Sequence, residues 1–230
     1  MYRHILKTPT ARLFLTKTPT SIKPFHNSPF LFNTTRTMVT SISDKIKHDH
    51  EELKSYYQKI KSSTSAADKT KWQNQFVWEL ARHSVAEELI VYPAFEKYLP
   101  GGEGTNIAAK DREEHQAVKR LLYDFQSINV EKEGEEAFEG KLDELWGLLS
   151  QHILEEERDD LPVLESAVKD ESAKLAKEFD RTKWFVPTKS HPSAGSEGGV
   201  WESVMGLLGA PVDKLMDRFK SFPEEGEKKM

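Results

Sequence analysis

The sequence predicts an all-α fold, an antiparallel up-down bundle of four helices that is followed by further helices. Three observations support this prediction. Apolar residues recur every three or four positions in four segments, which is the periodicity of amphipathic helices. Short polar connections join these segments, as they usually join neighbouring helices in such bundles. No segment shows the apolar–polar alternation of a strand, so a sheet is not expected.

The bundle is expected to occupy residues 41–165. Ser41 or Ser43 is a suitable N-cap for its first helix, because a short hydroxyl side chain can accept a bond from the first free amides. The second helix stops at Pro100-Gly101-Gly102, a combination that ends helices. The four predicted helices are 41–62, 66–98, 105–127 and 135–160.

Three further segments follow the bundle. Residues 166–186 are predicted to form a mostly polar helical extension, and residues 187–199 are rich in Pro, Gly and Ser, which favours a linker. A last amphipathic helix is predicted over 200–222. Its apolar stripe favours a helix that docks on its own domain, and a peripheral membrane or protein contact through 200–219 is the alternative.

The start of the chain differs in composition from the rest. Residues 1–43 contain six Lys or Arg residues and no Asp or Glu; the chain carries −5 overall, so the remainder carries −11. A basic, Ser/Thr-rich start without acids is typical of mitochondrial targeting segments. We therefore expect residues 1–40 to be a mitochondrial targeting segment or a disordered tail. A cytoplasmic protein, or one whose translation begins at Met38, is the alternative.

Composition also excludes several classes of function. The chain has no cysteine, so disulfides and thiolate sites are excluded, and any metal must be held by nitrogen and oxygen. No apolar run approaches the roughly 18 residues that a membrane-spanning helix needs. The acidic body of the chain does not favour nucleic-acid binding. Gly-rich phosphate loops and the Gly-x-Ser-x-Gly nucleophile motif are also missing from the sequence.

Six histidines and glutamates interrupt the predicted apolar stripes. Each helix of the bundle places one His on its stripe, and the second and fourth helices place a Glu one turn later. Since every step along the stripes is three or four residues, all six side chains are expected to point into the interior. The six residues are His50, His83, Glu87, His115, His152 and Glu156.

The same pattern occurs twice. A His-x3-Glu pair lies on the second and on the fourth helix, and a proline follows the His by ten positions in both, Pro93 and Pro162. This indicates a duplicated helix pair whose approximate two-fold axis brings two sets of side chains face to face. Residues four apart on a helix share one face, so each His and Glu can reach one metal ion.

A metal centre explains the six residues better than a polar core does. A lone His on an apolar stripe is usually a hydrogen-bonded core residue, but burying an ionised carboxylate costs several kcal/mol unless it is compensated. Total domain stability is only about 5–15 kcal/mol, and no Lys or Arg lies at a stripe position named above. Imidazole and carboxylate donors suit Fe, Mn, Zn or Cu. A ferritin-like site is disfavoured, because no Glu lies three residues before any of these histidines.

Residues 42–165 resemble the hemerythrin/HHE cation-binding family. The resemblance rests on KHDHEEL (47–53), HSVAEELIVYP (83–93), REEHQAVKRL (112–121) and HILEEERDDLP (152–162). It implies an antiparallel bundle with two non-haem iron ions, and Zn or Mn is the alternative metal. By this resemblance His50 and His83 would bind one iron and His115 and His152 the other. Glu87 and Glu156 would bridge the two ions.

One position departs from the oxygen-carrying members of this family. Those proteins have a further His one turn after the third-helix ligand, where this chain has Lys119. Reversible oxygen carriage is therefore in doubt, although oxygen binding remains among the expected properties. Lys119 is expected to face solvent. The acids beside the motifs are expected to be solvated surface carboxylates, and substitution for the missing histidine ligand is the alternative; these acids are Glu51, Glu88, Glu114 and Glu157.

Three functions remain open at this point. The first is a binding or sensing protein whose di-iron site responds to oxygen, peroxide, nitric oxide or iron supply. The second is a di-iron enzyme that reduces peroxide or nitric oxide or oxidises ferrous iron. The third is a metal store or a zinc-stabilised bundle. We expect the first, with metal ions and a diatomic or peroxide ligand as partners and no side chain assigned as catalytic.

Overall fold

The computed structural model describes residues 40–191 and 210–228. All regular secondary structure within these ranges is helical, so the predicted all-α class is confirmed. Two π-helical turns, Glu87–Val91 and Glu156–Asp160, join α2 to α3 and α6 to α7, and a 3-10 turn, Lys169–Glu171, joins α7 to α8. The α-helices are α1 (Ile42–Ser62), α2 (Ala66–Ala86), α3 (Tyr92–Tyr98), α4 (Glu103–Ser127), α5 (Val130–Glu133), α6 (Glu135–Glu155), α7 (Leu161–Val168), α8 (Ser172–Lys183), α9 (Ala210–Asp217) and α10 (Glu225–Lys228).

Local sequence sets where the first helix begins and how the third long helix is reached. The Ser41 hydroxyl accepts from the Asp44 amide at 3.0 Å and the Asp44 carboxylate accepts from the Ser41 amide at 3.2 Å, which forms a capping box. The turn before α4 contains glycines with positive φ. A Cβ atom on Gly104 would lie 1.9 Å from the carbonyl oxygen of Phe95, so only glycine lets α4 start this close to α3.

The second and fourth long helices each contain a π turn at the proline. The amide of Tyr92 donates to the carbonyl of Glu87, and the amide of Leu161 donates to that of Glu156, which are bonds between residues five apart. A proline ring clashes with the carbonyl four residues earlier in a regular α-helix. The wider π turn relieves this clash without ending the helix. The helix predicted over 135–160 consequently continues to Val168.

The four long helical segments pack around one interior. Ser43 donates to Glu165 near one end of α1 at 2.8 Å, and Tyr57 donates to Asp143 near the other end at 3.1 Å, so α1 and the fourth segment run in opposite directions. Two apolar clusters fill the ends of this interior, one around Phe76 and the other around Phe95. Along each long helix, the histidine falls between the buried residues that contribute to one cluster and those that contribute to the other.

The chain after α7 packs back on the bundle. α8 lies against α1, α2 and the first π turn, where it buries Phe179 and Lys183. Residues 187–191, which the composition assigned to a linker, pack on α4, and the Ser190 hydroxyl donates to the carbonyl of Lys119 at 2.6 Å. No helix in the described part of the chain is both long and apolar enough to cross a membrane.

The predicted terminal helix differs from expectation where it is described. α9 begins at Ala210, and the predicted stripe residues Leu215, Met216 and Phe219 are 55%, 47% and 81% exposed, so these three do not dock on the bundle. Polar contacts and an edge-on contact between Trp78 and Phe222 hold the segment after α9 on α2. The targeting segment up to residue 39, the linker from residue 192 and residues 200–209 of the terminal helix lie outside the described residues.

Candidate metal centre

The structure brings the six histidines and glutamates together in the middle of the bundle, where none is more than 4% exposed. Two three-residue groups have their donor atoms within 4.8 Å of one another. The groups are His50, His83 and Glu87, and Glu87, His115 and His152. Glu87 therefore belongs to both groups and lies between the two halves of the bundle. Glu156 falls in neither group, but its Oε2 lies 3.4 Å from Nε2 of His50.

The donor atoms have the spacing of ligands on a common cation. The Nε2 atoms of His115 and His152 are 3.0 Å apart. Metal–imidazole bonds are about 2.1 Å long, so two imidazoles at right angles on one cation would place their nitrogens about 3.0 Å apart. The two carboxylate oxygens of Glu87 lie 3.1 Å from Nε2 of His83 and 3.3 Å from Nε2 of His115. One carboxylate thus faces a histidine of each half.

The two halves of the bundle repeat the same ring geometry. The rings of His50 and His83 have centroids 4.9 Å apart and planes at 71°. The rings of His115 and His152 have centroids 4.7 Å apart and planes at 68°. Both π turns also begin at the glutamate of the repeated motif. These matches support the duplication that the sequence indicated.

A second set of carboxylates surrounds the histidines, and it follows the duplication too. In each half, the acid just before the first His accepts a hydrogen bond from Nδ1 of the second His. The acid just after the motif glutamate faces Nδ1 of the first His of the opposite half. The Nδ1–oxygen pairs are His83–Asp49 at 3.2 Å, His152–Glu114 at 2.7 Å, His50–Glu157 at 2.8 Å and His115–Glu88 at 3.5 Å.

These contacts set the chemistry of the imidazoles. In a neutral imidazole, an Nδ1 that donates its hydrogen to a carboxylate leaves the lone pair on Nε2, and the Nε2 atoms of these histidines face the interior. The expectation of a solvated surface carboxylate was therefore wrong for Glu88, which is buried, whereas Glu114 and Glu157 are partly exposed and also contact a histidine. Side-chain spacing on a single helix did not reveal them, because each acts on a histidine of another helix. Glu51 is largely exposed, as expected.

Five interior donor atoms have no hydrogen-bond partner among the described residues, and they test whether the site suits metal ions. These atoms are both carboxylate oxygens of Glu87, both of Glu156 and Nε2 of His50. Buried polar atoms in folded proteins are normally paired, and an unpaired buried carboxylate is strongly unfavourable. Cations between the two halves would satisfy all five atoms. The donor set fits a pair of divalent metal ions.

The electrostatics of the site show how the protein accommodates this charge without a cation. Burial and the negative charge of Glu87 raise the pKa of Glu156 well above its usual value. Burial opposes ionisation of Glu87 as well, but His83 and His115 outweigh it and lower its pKa to about 2. Burial disfavours the charged form of His83, yet the carboxylates of Glu87 and Asp49 raise its pKa to about 9. A proton on His83 therefore balances part of the charge, and burial opposes ionisation of Glu156.

Lys119 does not face solvent as the sequence predicted. Its side chain is only 12% exposed, and its ammonium group lies 2.6 Å from Oε1 of the buried Glu88. Burial opposes ionisation of Glu88, but His115 and Lys119 lower the pKa of this carboxyl to about 2. Lys119, which stands where oxygen carriers have their additional histidine, thus neutralises Glu88, an acid that faces His115. The Tyr92 hydroxyl lies 3.0 Å from Nδ1 of the same histidine.

The helix after the bundle also reaches the site. The ammonium group of Lys183, at the end of α8, lies 2.5 Å from Oδ2 of Asp49 and also pairs with Glu79. The guanidinium Nε of Arg82 donates to the Lys183 carbonyl at 2.8 Å, which fixes the end of α8. Sequence reasoning missed Lys183 because it lies 134 residues from Asp49 and belongs to a helix that reads as polar.

Asp111 is a further buried acid to which the sequence gave no function. It is fully buried, and neither of its carboxylate oxygens accepts a hydrogen bond within the described chain. Its donor atoms lie within 4.8 Å of those of Glu114 and His152. Burial and the nearby charge of Asp160 raise the pKa of Asp111 to about 7. The usable signal was its place on the apolar stripe, one turn before His115.

A helical bundle whose interior presents two facing groups of imidazole and carboxylate donors is built as a cation-binding protein. Residues 41–164 match the hemerythrin HHE cation binding domain, and the chain belongs to that family. It is similar to an uncharacterized hemerythrin-like protein of Schizosaccharomyces pombe, at 53% identity over 186 residues that cover 80% of this chain and 89% of that protein. No solved structure matches the chain. The resemblance seen in the sequence is thereby confirmed.

Proposed function

We propose that this protein holds a pair of non-haem iron ions and uses them to sense or handle dioxygen, peroxide, nitric oxide or iron itself. The observation that carries the proposal is the sharing of Glu87 by the two groups of donor atoms. A carboxylate common to two groups can bridge two cations. A hydrogen-bonded polar core would not need such a shared carboxylate. The oxygens of Glu87 and Glu156, which accept no hydrogen bond within the described residues, support the same interpretation.

In this proposal each half of the bundle supplies the imidazoles for one ion. His50 and His83 would hold one iron, and His115 and His152 would hold the other. Glu87 and Glu156 would be shared between the two ions. Bound iron supplies redox chemistry and coordination positions that the six protein ligands leave open. The chain's own residues hold those ligands in place through the outer carboxylates.

The surroundings of His115 favour a site that admits a small ligand over a closed structural site. No further histidine follows His115 on α4. Lys119 stands one turn later instead, and its ammonium group pairs with Glu88. A cavity lined in part by Ser84, Lys119 and Ser190 lies on this side of the bundle. A diatomic molecule or peroxide in that cavity would lie beside Lys119, whose ammonium group pairs with the Glu88 carboxylate that faces His115.

The test is metal analysis of the purified full-length protein together with its optical spectrum in air. We expect about two iron ions per chain and the near-ultraviolet absorption of an oxo-bridged ferric pair. The double variant His83→Ala/His152→Ala should lose both ions, because it removes one imidazole from each group. His48→Ala is the matched control, since His48 is exposed and lies two residues from His50.

Two results would overturn the proposal. Retention of two irons in the double variant would show that the six residues are not the ligands. Two equivalents of zinc and no iron, in protein from iron-replete cells, would favour the structural alternative. Catalytic turnover of peroxide or nitric oxide by the iron-loaded protein would instead identify the centre as that of an enzyme.

A further inference from the structure

The two halves of the bundle differ at one pair of buried positions. Asp111 lies four residues before His115, and the equivalent residue of the first half, four before His50, is Ile46. Asp160 ends the second π turn, and the residue that ends the first is Val91. Ile46 and Val91 are fully buried in an apolar cluster. The fold therefore accepts apolar side chains at these two positions, and only the second half carries acids there.

These two acids are buried without adequate partners. Three of their carboxylate oxygens accept no hydrogen bond in the described structure: both oxygens of Asp111 and Oδ2 of Asp160. Asp111 is 0% exposed and Asp160 is 8% exposed. The ammonium group of Lys110 comes only within 4.0 Å of Asp111, because it pairs more closely with Glu114 and Glu155. An arrangement that leaves three carboxylate oxygens unpaired in the interior, where apolar residues fit, points to a bound cation.

We propose that Asp111, Asp160 and Glu114 form an auxiliary site for a divalent cation, distinct from the paired centre, through which cations reach that centre. Donor atoms of Asp111 and Glu114 lie within 4.8 Å of one of His152, which the auxiliary site shares with the group around Glu87. Its carboxylate oxygens suit a hard divalent ion such as Mn²⁺ or Fe²⁺. This inference rests on the proposed function in that the centre must take up cations.

Exposure along the site gives the direction of uptake. The side chains of Glu114 and Glu155 are each 27% exposed and lie at the surface with Lys110, whereas Asp111 is fully buried. Carboxyl groups therefore extend from the surface to the interior beside His152. A weak oxygen-donor site at the outer edge of a tight centre can lower the barrier to removing water from an incoming ion.

The decisive variant copies the first half of the chain into the second. The variant Asp111→Ile/Asp160→Val gives the second half the side chains that Ile46 and Val91 provide at the equivalent positions of the first half. Because the fold already accepts these side chains, the variant should fold. Asp111→Asn/Asp160→Asn serves the same comparison if the apolar variant fails to fold. The control is Glu113→Gln/Asp159→Asn, which makes the same change in net charge at exposed neighbouring positions.

The full-length protein, freed of metal by chelation, is mixed with Co²⁺, and uptake is followed by visible absorption and equilibrium dialysis. The wild type should bind two ions tightly and a third weakly. The Asp111/Asp160 variants should lose the third ion, keep the two tight ions and load them at least tenfold more slowly, whereas the control should behave as the wild type.

Loss of a tight ion in the variants would overturn the inference by making Asp111 a ligand of the paired centre. Unchanged loading in the variants would also overturn it. If the wild type takes up no Co²⁺ at all, the metal centre itself fails, which separates that outcome from a failure of the auxiliary site.

Discussion

The ammonium group of Lys183 and the side chain of His83 meet at one atom, Oδ2 of Asp49. Lys183 lies 2.5 Å from this oxygen and Nδ1 of His83 lies 3.2 Å from it. The lysine belongs to α8, beyond the residues that match the family domain. The helix that follows the bundle is therefore part of the surroundings of the metal centre.

Replacing Lys183 should destabilise the metal-free protein. Lys183→Met removes the ammonium group that compensates Asp49 and Glu79, which are 1% and 4% exposed. Breaking such a buried pair typically costs about 3–5 kcal/mol. We expect the free energy of unfolding, measured by urea denaturation at pH 7, to fall by about 3 kcal/mol. Lys177→Met, an exposed position on the same helix, should change it by less than about 0.5 kcal/mol.

The outer carboxylates should control cation affinity from both halves. Asp49→Asn and Glu114→Gln each weaken the acceptor for one histidine Nδ1, and such changes typically lower metal affinity about 10–100-fold. Because the two contacts are equivalent under the duplication, the two variants should have similar effects in competition titrations with a chelator. The exposed Glu113→Gln should leave the affinity unchanged. Wild-type affinity in both outer variants would contradict this assignment.

The ion pair between Lys119 and Glu88 should behave as a buried pair. Lys119→Met leaves Glu88, which is 4% exposed, without its cation. We expect a loss of about 3 kcal/mol in the free energy of unfolding. Lys119→Met/Glu88→Gln should recover most of this loss, because the buried charge is removed as well. A double variant no more stable than the single one would show that packing of the lysine stem is the larger effect.

Cation binding should release protons near neutral pH. The pKa of His83 is raised to about 9, so this imidazole carries a proton at pH 7 in the cation-free protein, and burial with the charge of Glu87 also raises the pKa of Glu156. Metal ligands must be deprotonated, so affinity should rise with pH and level off above the pKa of His83. Calorimetry in buffers of different ionisation enthalpy should detect proton release at pH 7, with about one proton per chain coming from His83.

The first residues of the chain should direct a reporter to mitochondria. We propose this location because residues 1–43 carry six basic residues and no acid. A fusion of residues 1–43 to a fluorescent protein should co-localise with a mitochondrial dye. Replacing Arg3, Lys7 and Arg12 by Gln should abolish the import. A diffuse cytosolic signal from the unaltered fusion would contradict the proposal.

Much of the centre could be predicted from the sequence, because the three- to four-residue period of a helix determines both which residues pack in the core and where the candidate ligands point. A His at a three- or four-residue step from apolar neighbours must point where they point, and this put His50, His83, His115 and His152 in the interior. The repeated His-x3-Glu pairs and prolines also revealed the duplication. Helical periodicity carries these features because they depend on residues within one helix.

The remaining features depend on relations between helices, and the sequence reasoning missed them. Glu88 lies one residue after Glu87, so a regular helix would turn it away, whereas in the π turn both side chains are buried. Lys183 and Asp49 meet only through tertiary packing. One signal was available and not used: an acid precedes His50 and His115, and an acid follows Glu87 and Glu156, so the repeat extends to the outer carboxylates.

The exchange of outer carboxylates between the halves makes neither half self-sufficient. Within each half the second histidine finds its acceptor on the partner helix, as His83 does with Asp49. The first histidine depends on the opposite half, as His50 does on Glu157. A chain cut in the turn at 99–102 would therefore give two fragments that each hold an incomplete set of oriented imidazoles. Such fragments would regain the full set of oriented imidazoles only by reassociating.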